Sequence, residues 1–457
     1  MMNSKSDPEL DTLRPLAFTD DALALLFAET NANALRYVAA QGKWFIWDGK
    51  RWVPDETLAV RDRIRQVCRQ VAVQCDQPKV AKPIASAKTV TAVERLAQAD
   101  RQIAATVDQW DADPWLLNTP AGVIDLRTST LRGHKPGDYL TKITGVAPDT
   151  DCPIPTWLAF LDRITDGKGE LVEYLQRVAG YSLTGSTREH SLFFCYGLGA
   201  NGKSTFLNAI TWAVGDYHRT AAVETFTASN HDRHPTDLAA LQGARLVTAV
   251  ETEEGRRWAE SRIKSLTGGD KIAARFMRQD FFEFTPQFKL IIAGNHKPGL
   301  RSVDEAIRRR FNLIPFTVTI PPQERDETLP DRLRAELPGI LAWMIQGCAD
   351  WLEHGLAPPE VVTAATAAYL EGEDAIGAWL EEVAVRDPNA WERSADLFAS
   401  WASWGAKTGE HVGSQIRFGQ KLEAHGIIPA RHNSARGYLG LRLLSPDHTG
   451  TPFTSYS

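Results

Sequence analysis

The amino-acid sequence predicts an α/β fold, and three apolar runs carry that prediction. They lie at 191–196, 245–251 and 288–294; each has the length of a strand and is followed by glycine or polar residues. A glycine-rich loop and a helical run at 206–214 come directly after the first of them. Strands that alternate with helices favour a sheet with helices packed on it.

Length and composition bound the domain number and the class of protein. A chain of 457 residues is expected to form about two to four domains. The net charge of −6 neither favours nor excludes nucleic acid, because local charge decides that question. No run of about 18 apolar residues occurs and the first residues are polar, so we expect a cytoplasmic protein without a membrane span. The five scattered cysteines argue against a disulfide framework or a zinc ribbon.

The first 150 residues are predicted to form a flexible tail at 1–15 and a mixed α/β domain at 16–150. Apolar spacing predicts a helix at about 20–40. The aromatic run 43–53 contains Asp48-Gly49, which indicates a hairpin. A second small β unit is predicted at 118–131, and the Pro-rich joint at 151–155 indicates a domain boundary.

The glycine-rich loop after the first apolar strand fits the pattern G-x-x-x-x-G-K-[ST] of a phosphate-binding loop. Backbone N–H groups and the following helix N-terminus are expected to hold the phosphates of a nucleotide. Lys203 is expected to reach the β- and γ-phosphates, and the Ser204 hydroxyl to bind Mg²⁺. The alternative is a glycine-rich turn without a ligand. The loop residues are Gly197, Leu198, Gly199, Ala200, Asn201, Gly202, Lys203, Ser204 and Thr205.

Polar side chains follow the other two apolar strands. Glu251 ends the strand at 245–251 and Glu253 comes two residues later, so both are candidates to hold Mg²⁺ and to polarise the attacking water. Asn295 follows the strand at 288–294 and is a candidate sensor of the γ-phosphate. The alternatives are a solvated acidic turn for the glutamates and an ordinary turn residue for the asparagine.

Three successive arginines at 308–310 precede a further apolar strand. Successive helical residues point about 100° apart, so the three are not expected to share one role. One is a candidate finger that acts on a neighbouring subunit's nucleotide, and the others are expected to form salt bridges or to contact nucleic acid. A solvated basic helix end is the alternative.

The last 82 residues, 376–457, read as helices followed by a β-ribbon. This order fits a winged-helix-like domain that clamps duplex DNA. Arg431 and Arg436 are the phosphate contacts that we predict in it, with further basic candidates at Arg417, Lys421 and Arg442. A small protein-interaction domain with a solvated basic face is the alternative.

Taken together, the loop at 197–205, Glu251, the runs 263–275 and 284–298, and Arg309-Arg310-Phe311 resemble a superfamily 3 helicase. The resemblance is to the phage, plasmid and poxvirus primase-helicase type, and it spans roughly residues 40–445. It implies an AAA+-like P-loop NTPase core at 191–320, in a helical collar at 151–190 and 321–375. It also implies a ring, usually a hexamer, that uses ATP and Mg²⁺ to move on single-stranded DNA, generally 3′ to 5′.

Family roles are carried over position by position. The residues that match catalytic positions are Lys203, Glu251, Glu253, Asn295, Arg309 and Arg310, with Arg309 favoured as the finger. Ser204 and Glu251 match metal positions. Between Ala274 and Phe281 lies the expected pore hairpin, where Arg278 is the first choice for DNA contact and Lys271 and Arg275 are its neighbours.

The resemblance implies a replicative or origin-unwinding helicase of a phage, plasmid or mobile element, working in the host cytoplasm. No carboxylate-and-histidine constellation upstream of the loop suggests nucleotide polymerisation, so a separate primase or single-strand-binding protein is an expected partner. Two alternatives stay open. One is an ATPase for DNA packaging or protein remodelling, and the other is an ATP-gated DNA-binding or loading factor.

Overall fold

The computed structural model describes residues 16–228, 236–251, 256–277, 280–300, 303–410, 412–432 and 435–444. The predicted tail at 1–15 lies outside these ranges. Within them, no helix has the length and apolar content needed to cross a membrane.

The N-terminal part packs helices on a small antiparallel sheet of strand order β1-β2-β3. Helices α1, α2 and α4 bury Phe27, Ile64 and Val93 in one core. The predicted Asp48-Gly49 turn joins β2 to β3, and Asp48 Oδ1 accepts hydrogen bonds from two backbone N–H groups of the turn. In order, the elements are α1 (Asp20–Asn31), β1 (Leu35–Val38), β2 (Lys43–Trp47), β3 (Trp52–Pro54), α2 (Ala59–Gln74), α3 (Pro78–Ile84) and α4 (Ala87–Ala97).

The predicted helix at 20–40 is wrong beyond Asn31. There α1 ends, with the Asn31 side chain donating to the Phe27 carbonyl at 2.9 Å. Leu35 and Val38 are buried three residues apart, a spacing that suits a helix, yet they lie on a strand that pairs with β2. The backbone hydrogen bonds that β1 forms with β2, rather than its apolar spacing, decide its conformation.

A second antiparallel sheet and two helices lead into the centre of the chain. The sheet contains β4 (Leu116–Thr119), β5 (Gly122–Asp125) and β6 (Thr130–Arg132), which confirms the β unit predicted at 118–131. The helices are α5 (Pro155–Thr165) and α6 (Gly169–Tyr181).

The centre of the fold is a five-stranded parallel sheet of strand order β13-β7-β12-β9-β8. Tyr196, Gly294 and Glu251 stand level across β7, β12 and β9, so the carboxyl ends of these strands meet at one edge. The elements of this part are β7 (Leu192–Tyr196), α7 (Lys203–Val214), β8 (His218–Thr220), α8 (Thr236–Ala239), β9 (Leu246–Glu251), α9 (Glu260–Gly268), β10 (Ile272–Ala274), β11 (Phe282–Phe284), β12 (Lys289–Gly294), α10 (Glu305–Arg308) and β13 (Phe311–Pro315).

Two later helices return to pack on α5 and α6. They are α11 (Leu329–Ala335) and α12 (Leu337–His354), and they share the largest core with α7 and the inner strands. Glu336 lies between them and accepts from the backbone N–H groups of Thr156 and Trp157, at 2.9 and 2.8 Å. A buried carboxylate thereby caps α5 and fixes it to the returning helices.

The C-terminal part combines helices with an antiparallel sheet of order β14-β16-β15 around its own core of aromatic and aliphatic residues. Helix α13 (Glu360–Gly372) precedes this part and buries Tyr369 and Leu370 against the central sheet. The elements of the C-terminal part are α14 (Ala375–Val383), β14 (Ala384–Arg393), α15 (Ser394–Thr408), α16 (Gln415–Ala424), β15 (Ile428–His432) and β16 (Ala435–Leu443). The described chain is therefore a mixed α/β protein with a parallel sheet, as predicted.

Candidate nucleotide-binding site

The loop between β7 and α7 has a backbone that only glycine adopts without strain at two positions. Gly197 has a φ of 155° and Gly202 a φ of 83°. A Cβ at Gly197 would stand 2.0 Å from the Phe316 carbonyl oxygen, and one at Gly202 would stand 2.4 Å from Ile164 Cγ2. Gly202 precedes the first turn of α7, so the loop opens onto a helix N-terminus that attracts anions.

Asn201 braces this loop against the end of β13. Its side chain is 4% exposed, and Nδ2 donates to the Phe316 carbonyl at 3.0 Å and to the Leu198 carbonyl at 2.5 Å. The Ile320 N–H donates to the Ala200 carbonyl at 2.7 Å. These bonds fix the loop to the end of β13 and the segment after it, a role that the motif pattern did not reveal.

Lys203 lies inside the cradle formed by the loop. It is 7% exposed, and Nζ donates to the Gly197 carbonyl at 2.6 Å and to Asn295 Oδ1 at 3.3 Å. Burial lowers the pKa of Lys203 below its ordinary value. Ser204 and Thr205 follow in the first turn of α7, exposed and half-buried respectively. The structure thus brings together Lys203 and Asn295, which lie 92 residues apart.

The predicted acidic position lies at the same edge of the sheet. Glu251 is the last residue of β9 and pairs with Gly294, which in turn pairs with Tyr196. Neighbouring strands are about 4.8 Å apart, so the backbone of Glu251 lies about 10 Å from the start of the loop. The side chain of Glu251 and the whole of Glu253 lie outside the described residues.

The loop after β12 contains a lysine whose placement the sequence did not suggest. Lys297 Nζ lies 4.0 Å from the centre of the Tyr196 ring, and partial burial lowers the pKa of this lysine. The Tyr369 hydroxyl donates to the Pro298 carbonyl, and the Leu300 N–H donates to Glu373 Oε2 at 2.7 Å. Helix α13 and its end therefore hold the segment that carries Asn295.

The arginines lie at the opposite edge of the sheet. The Leu192 N–H donates to the Arg310 carbonyl, and Arg310 therefore lies beside the beginning of β7. Five strand residues separate that edge from the loop, a distance of about 16 Å. An arginine there does not reach the glycine-rich loop of its own chain.

Arg309 and Arg310 have different surroundings. Arg310 is 5% exposed; its guanidinium donates to Thr267 Oγ1 at 3.1 Å and to the Ala306 carbonyl at 2.7 Å, and burial lowers its pKa. The Arg309 side chain is exposed, with no hydrogen bond or ion pair to any described residue. Arg308 lies 3.3 Å from Asp374, which also pairs with His425 of the C-terminal part.

The predicted pore hairpin is a two-stranded ribbon formed by β10 and β11. The Phe276 and Phe282 rings stack at 5.4 Å, and the Arg275 guanidinium lies 4.9 Å from the centre of the Phe281 ring. Phe281 is 62% exposed, and Lys271 is exposed just before β10. Arg278 lies outside the described residues.

In the C-terminal ribbon, Arg431 and Arg436 face each other directly across β15 and β16, and both are exposed. Like charges in direct register destabilise a ribbon. A bound anion would reduce the repulsion between these two guanidinium groups.

Two family models match separate parts of the chain. Residues 24–166 match a family described as D5 N terminal like. Residues 195–310 match a family of unknown function, DUF5906. The second match spans the glycine loop, the ends of β9 and β12, and the arginines.

Curated viral proteins named as helicases are similar to the chain. L207/L206 of Acanthamoeba polyphaga mimivirus is 25% identical over 319 residues, covering 64% of this chain and 33% of that protein. The protein 022R of Frog virus 3 (isolate Goorha) is 25% identical over 283 residues, which cover 57% of this chain and 29% of that protein. V13 of Sputnik virophage is 25% identical over 195 residues, which cover 38% of this chain and 25% of that protein. The chain thus spans a third or less of the length of these relatives.

A solved structure, the apo NrS-1 C terminal region (305-718), has a similar fold. Its TM-score is 0.51 at 10% identity, and the match covers 92% of this chain and 99% of that one. At this identity the likeness concerns the mixed α/β fold alone.

Proposed function

We propose that the chain is an ATP-dependent DNA helicase of the primase-helicase type found in phages and viruses, because two family models match parts of it and viral proteins named as helicases are similar to it. In this proposal the chain belongs to the replication machinery of a phage, plasmid or mobile element, and translocates on single-stranded DNA, generally 3′ to 5′. The observation that carries the proposal is the meeting of Lys203 Nζ and Asn295 Oδ1 beside the glycine loop.

In this proposal the site residues have different roles in the binding and hydrolysis of ATP. The loop N–H groups and the N-terminus of α7 bind the phosphates, and Lys203 exchanges its neutral acceptors for the β- and γ-phosphate oxygens. Asn295, released from Lys203, orients the attacking water against the γ-phosphate. Ser204 and Glu251 would supply oxygen ligands of the kind that Mg²⁺ prefers, and Mg²⁺ held there would supply positive charge against the phosphates. Glu251 or Glu253 accepts a hydrogen bond from the water.

The active site is shared between subunits in this proposal. Arg309 lies about 16 Å from its own loop, too far for its guanidinium to reach the γ-phosphate there. An exposed arginine at the far edge, with no ion pair to the residues that the structure describes, suits a ring in which it reaches the next subunit's nucleotide. The strand order β13-β7-β12-β9-β8 supports an AAA+-like core at 191–320, and we assign Arg310 to bracing that edge.

In this proposal two β-ribbons contact DNA, one formed by β10 and β11 and the other by β15 and β16. Arg275 and the phenylalanines of the β10–β11 hairpin offer a cation and ring faces to successive nucleotides, together with Lys271 and Arg278. Arg431 and Arg436 of a winged-helix-like domain at 376–457 contact duplex phosphates. The helical parts at 151–190 and 321–375 form the collar of the ring, and the N-terminal domain spans 16–150.

Two assays test the proposal together. ATP hydrolysis and displacement of a strand from a 3′-tailed fork are measured for the wild type, for Lys203→Ala and for Lys168→Ala, an exposed lysine outside the site. We expect Lys203→Ala to abolish both activities and Lys168→Ala to retain both. Duplex-stimulated hydrolysis without strand displacement would instead support DNA packaging or remodelling.

A further inference from the structure

The helices of the N-terminal part form a basic island in an acidic chain. Residues 59–101 contain nine Lys and Arg against four Asp and Glu, a net charge of +5. The whole chain carries −6, so the rest of it carries −11. A local charge of this sign in an otherwise acidic chain marks a surface for a polyanion.

Two helices bring the cations together. The apolar sides of α2 and α4 pack on each other through Ile64, Cys68, Val90 and Val93. Their outer sides meet at Arg61, whose guanidinium donates to Thr91 Oγ1 at 2.8 Å.

Exposed basic residues continue from this junction along both helices. On α2 the basic residues are spaced four positions apart. On α4 one lies three positions before Thr91 and the other four positions after it. Residues at these spacings lie on one side of a helix. We call this surface the basic face; it consists of Arg61, Arg65, Arg69, Lys88 and Arg95, all exposed.

Carboxylates neutralise only part of the basic face. Arg65 lies 3.1 Å from Asp62, and Arg61 lies 3.8 Å from Glu94. Arg69, Lys88 and Arg95 have no ion pair among the described residues. Arg61 and Arg69 are eight positions apart, about 12 Å along the helix, which matches three or four phosphates of one strand.

The basic face lacks the groups that bind single strands. Residues 59–101 contain no Phe, Trp or Tyr, although the chain has 41 of these residues. Sites for single-stranded DNA combine cations with aromatic rings on which bases stack, as the β10–β11 hairpin does. Cations without rings suit a duplex, whose bases are already stacked and whose phosphates lie outside.

We propose that the basic face binds the phosphate backbone of duplex DNA, independently of sequence. The inference rests on the proposed function only in taking DNA as the polyanion. In a ring helicase this surface would hold the duplex region of a fork while the hairpin holds the single strand.

The test compares two triple variants of the full chain. In the first, Arg69, Lys88 and Arg95 are changed to Gln; in the matched control, Lys43, Lys135 and Lys168, exposed cations outside the basic face, are changed to Gln. Binding of a blunt 30-base-pair duplex, without nucleotide, is followed by fluorescence anisotropy over a range of salt concentrations. Each lost phosphate contact lowers the slope of log K against log salt by about 0.9. We expect the first variant to lose about 2–3 units of slope and the control to retain the wild-type slope.

Three further readouts separate this inference from the proposed function. Thermal melting checks that both variants fold; Gln is a good helix former at the three exposed helical positions of the first variant. Affinity for a single-stranded 30-mer and ATP hydrolysis without DNA should stay at wild-type values. An unchanged duplex slope, an equal loss in the control, or an equal loss of single-strand affinity would overturn the inference. None of these outcomes bears on Lys203, whose variant tests the ATPase separately.

Discussion

Arg309 and Arg310 are neighbours in sequence, and the structure predicts that their removal affects different properties of the protein. Arg310→Ala removes two charge-assisted hydrogen bonds, to Thr267 Oγ1 and to the Ala306 carbonyl, from a site that is 5% exposed. Such bonds contribute about 1.5–3 kcal/mol each, and release of the confined side chain returns up to about 2 kcal/mol. The free energy of unfolding is therefore expected to fall by about 3 kcal/mol.

Arg309→Ala removes an exposed side chain without a described partner, so the change in unfolding free energy is expected to stay within about 0.5 kcal/mol. If this guanidinium is the trans-acting finger, ATP hydrolysis by assembled protein falls by about 10³-fold or more. The two substitutions thus separate stability from catalysis.

Thermal denaturation and ATPase assays at one protein concentration measure both effects. A loss of 3 kcal/mol corresponds to a melting temperature lower by about 6–12 °C for Arg310→Ala. Lys168→Ala serves as the control for removing an exposed cation. Wild-type hydrolysis by Arg309→Ala, or a wild-type melting temperature for Arg310→Ala, would refute the reasoning.

Three further predictions concern the loop, the hairpin and the sheet. Gly202→Ala places a Cβ 2.4 Å from Ile164 Cγ2 at a φ of 83°, so we expect about 1–3 kcal/mol lower stability and weaker binding of a fluorescent ATP analogue. Phe276→Ala removes a ring that stacks on Phe282, and should weaken single-stranded DNA binding by about 1–3 kcal/mol while leaving blunt-duplex binding unchanged. Burial lowers the pKa of His218 to about 4 from the ordinary 6.5, so the unfolded state binds the extra proton between these values and stability falls as the pH drops through that window. Urea titrations from pH 7 to 4 should show a shallower fall for His218→Gln, and parallel curves would contradict the assignment.

Local sequence patterns were sufficient to predict much of the fold. The strands β7, β9 and β12 are the inner strands of a parallel sheet, and both faces of such strands are covered. They therefore appear in the sequence as uninterrupted apolar runs. The hairpin between β2 and β3 was predictable because an Asp-Gly pair forms a tight turn by itself.

Contacts between distant residues account for what the sequence did not reveal. Arg310 would ordinarily be placed at the surface, yet acceptors from α9 and α10 allow its burial. Asn201 owes its role to the Phe316 carbonyl, 115 residues later in the chain. The position of Lys297 is set by its contact with the ring of Tyr196, which lies on another strand of the sheet. None of these partners can be identified from local spacing.

The central claim, a nucleotide site shared between subunits, is tested most directly by mixing two inactive variants. Lys203→Ala and Arg309→Ala proteins are assayed for ATP hydrolysis separately and after equimolar mixing and reassembly. In a head-to-tail ring, about a quarter of the interfaces would then join an intact Lys203 to an intact Arg309 of the next subunit. We predict recovery of about that fraction of wild-type activity. A mixture as inactive as its two components would contradict the account.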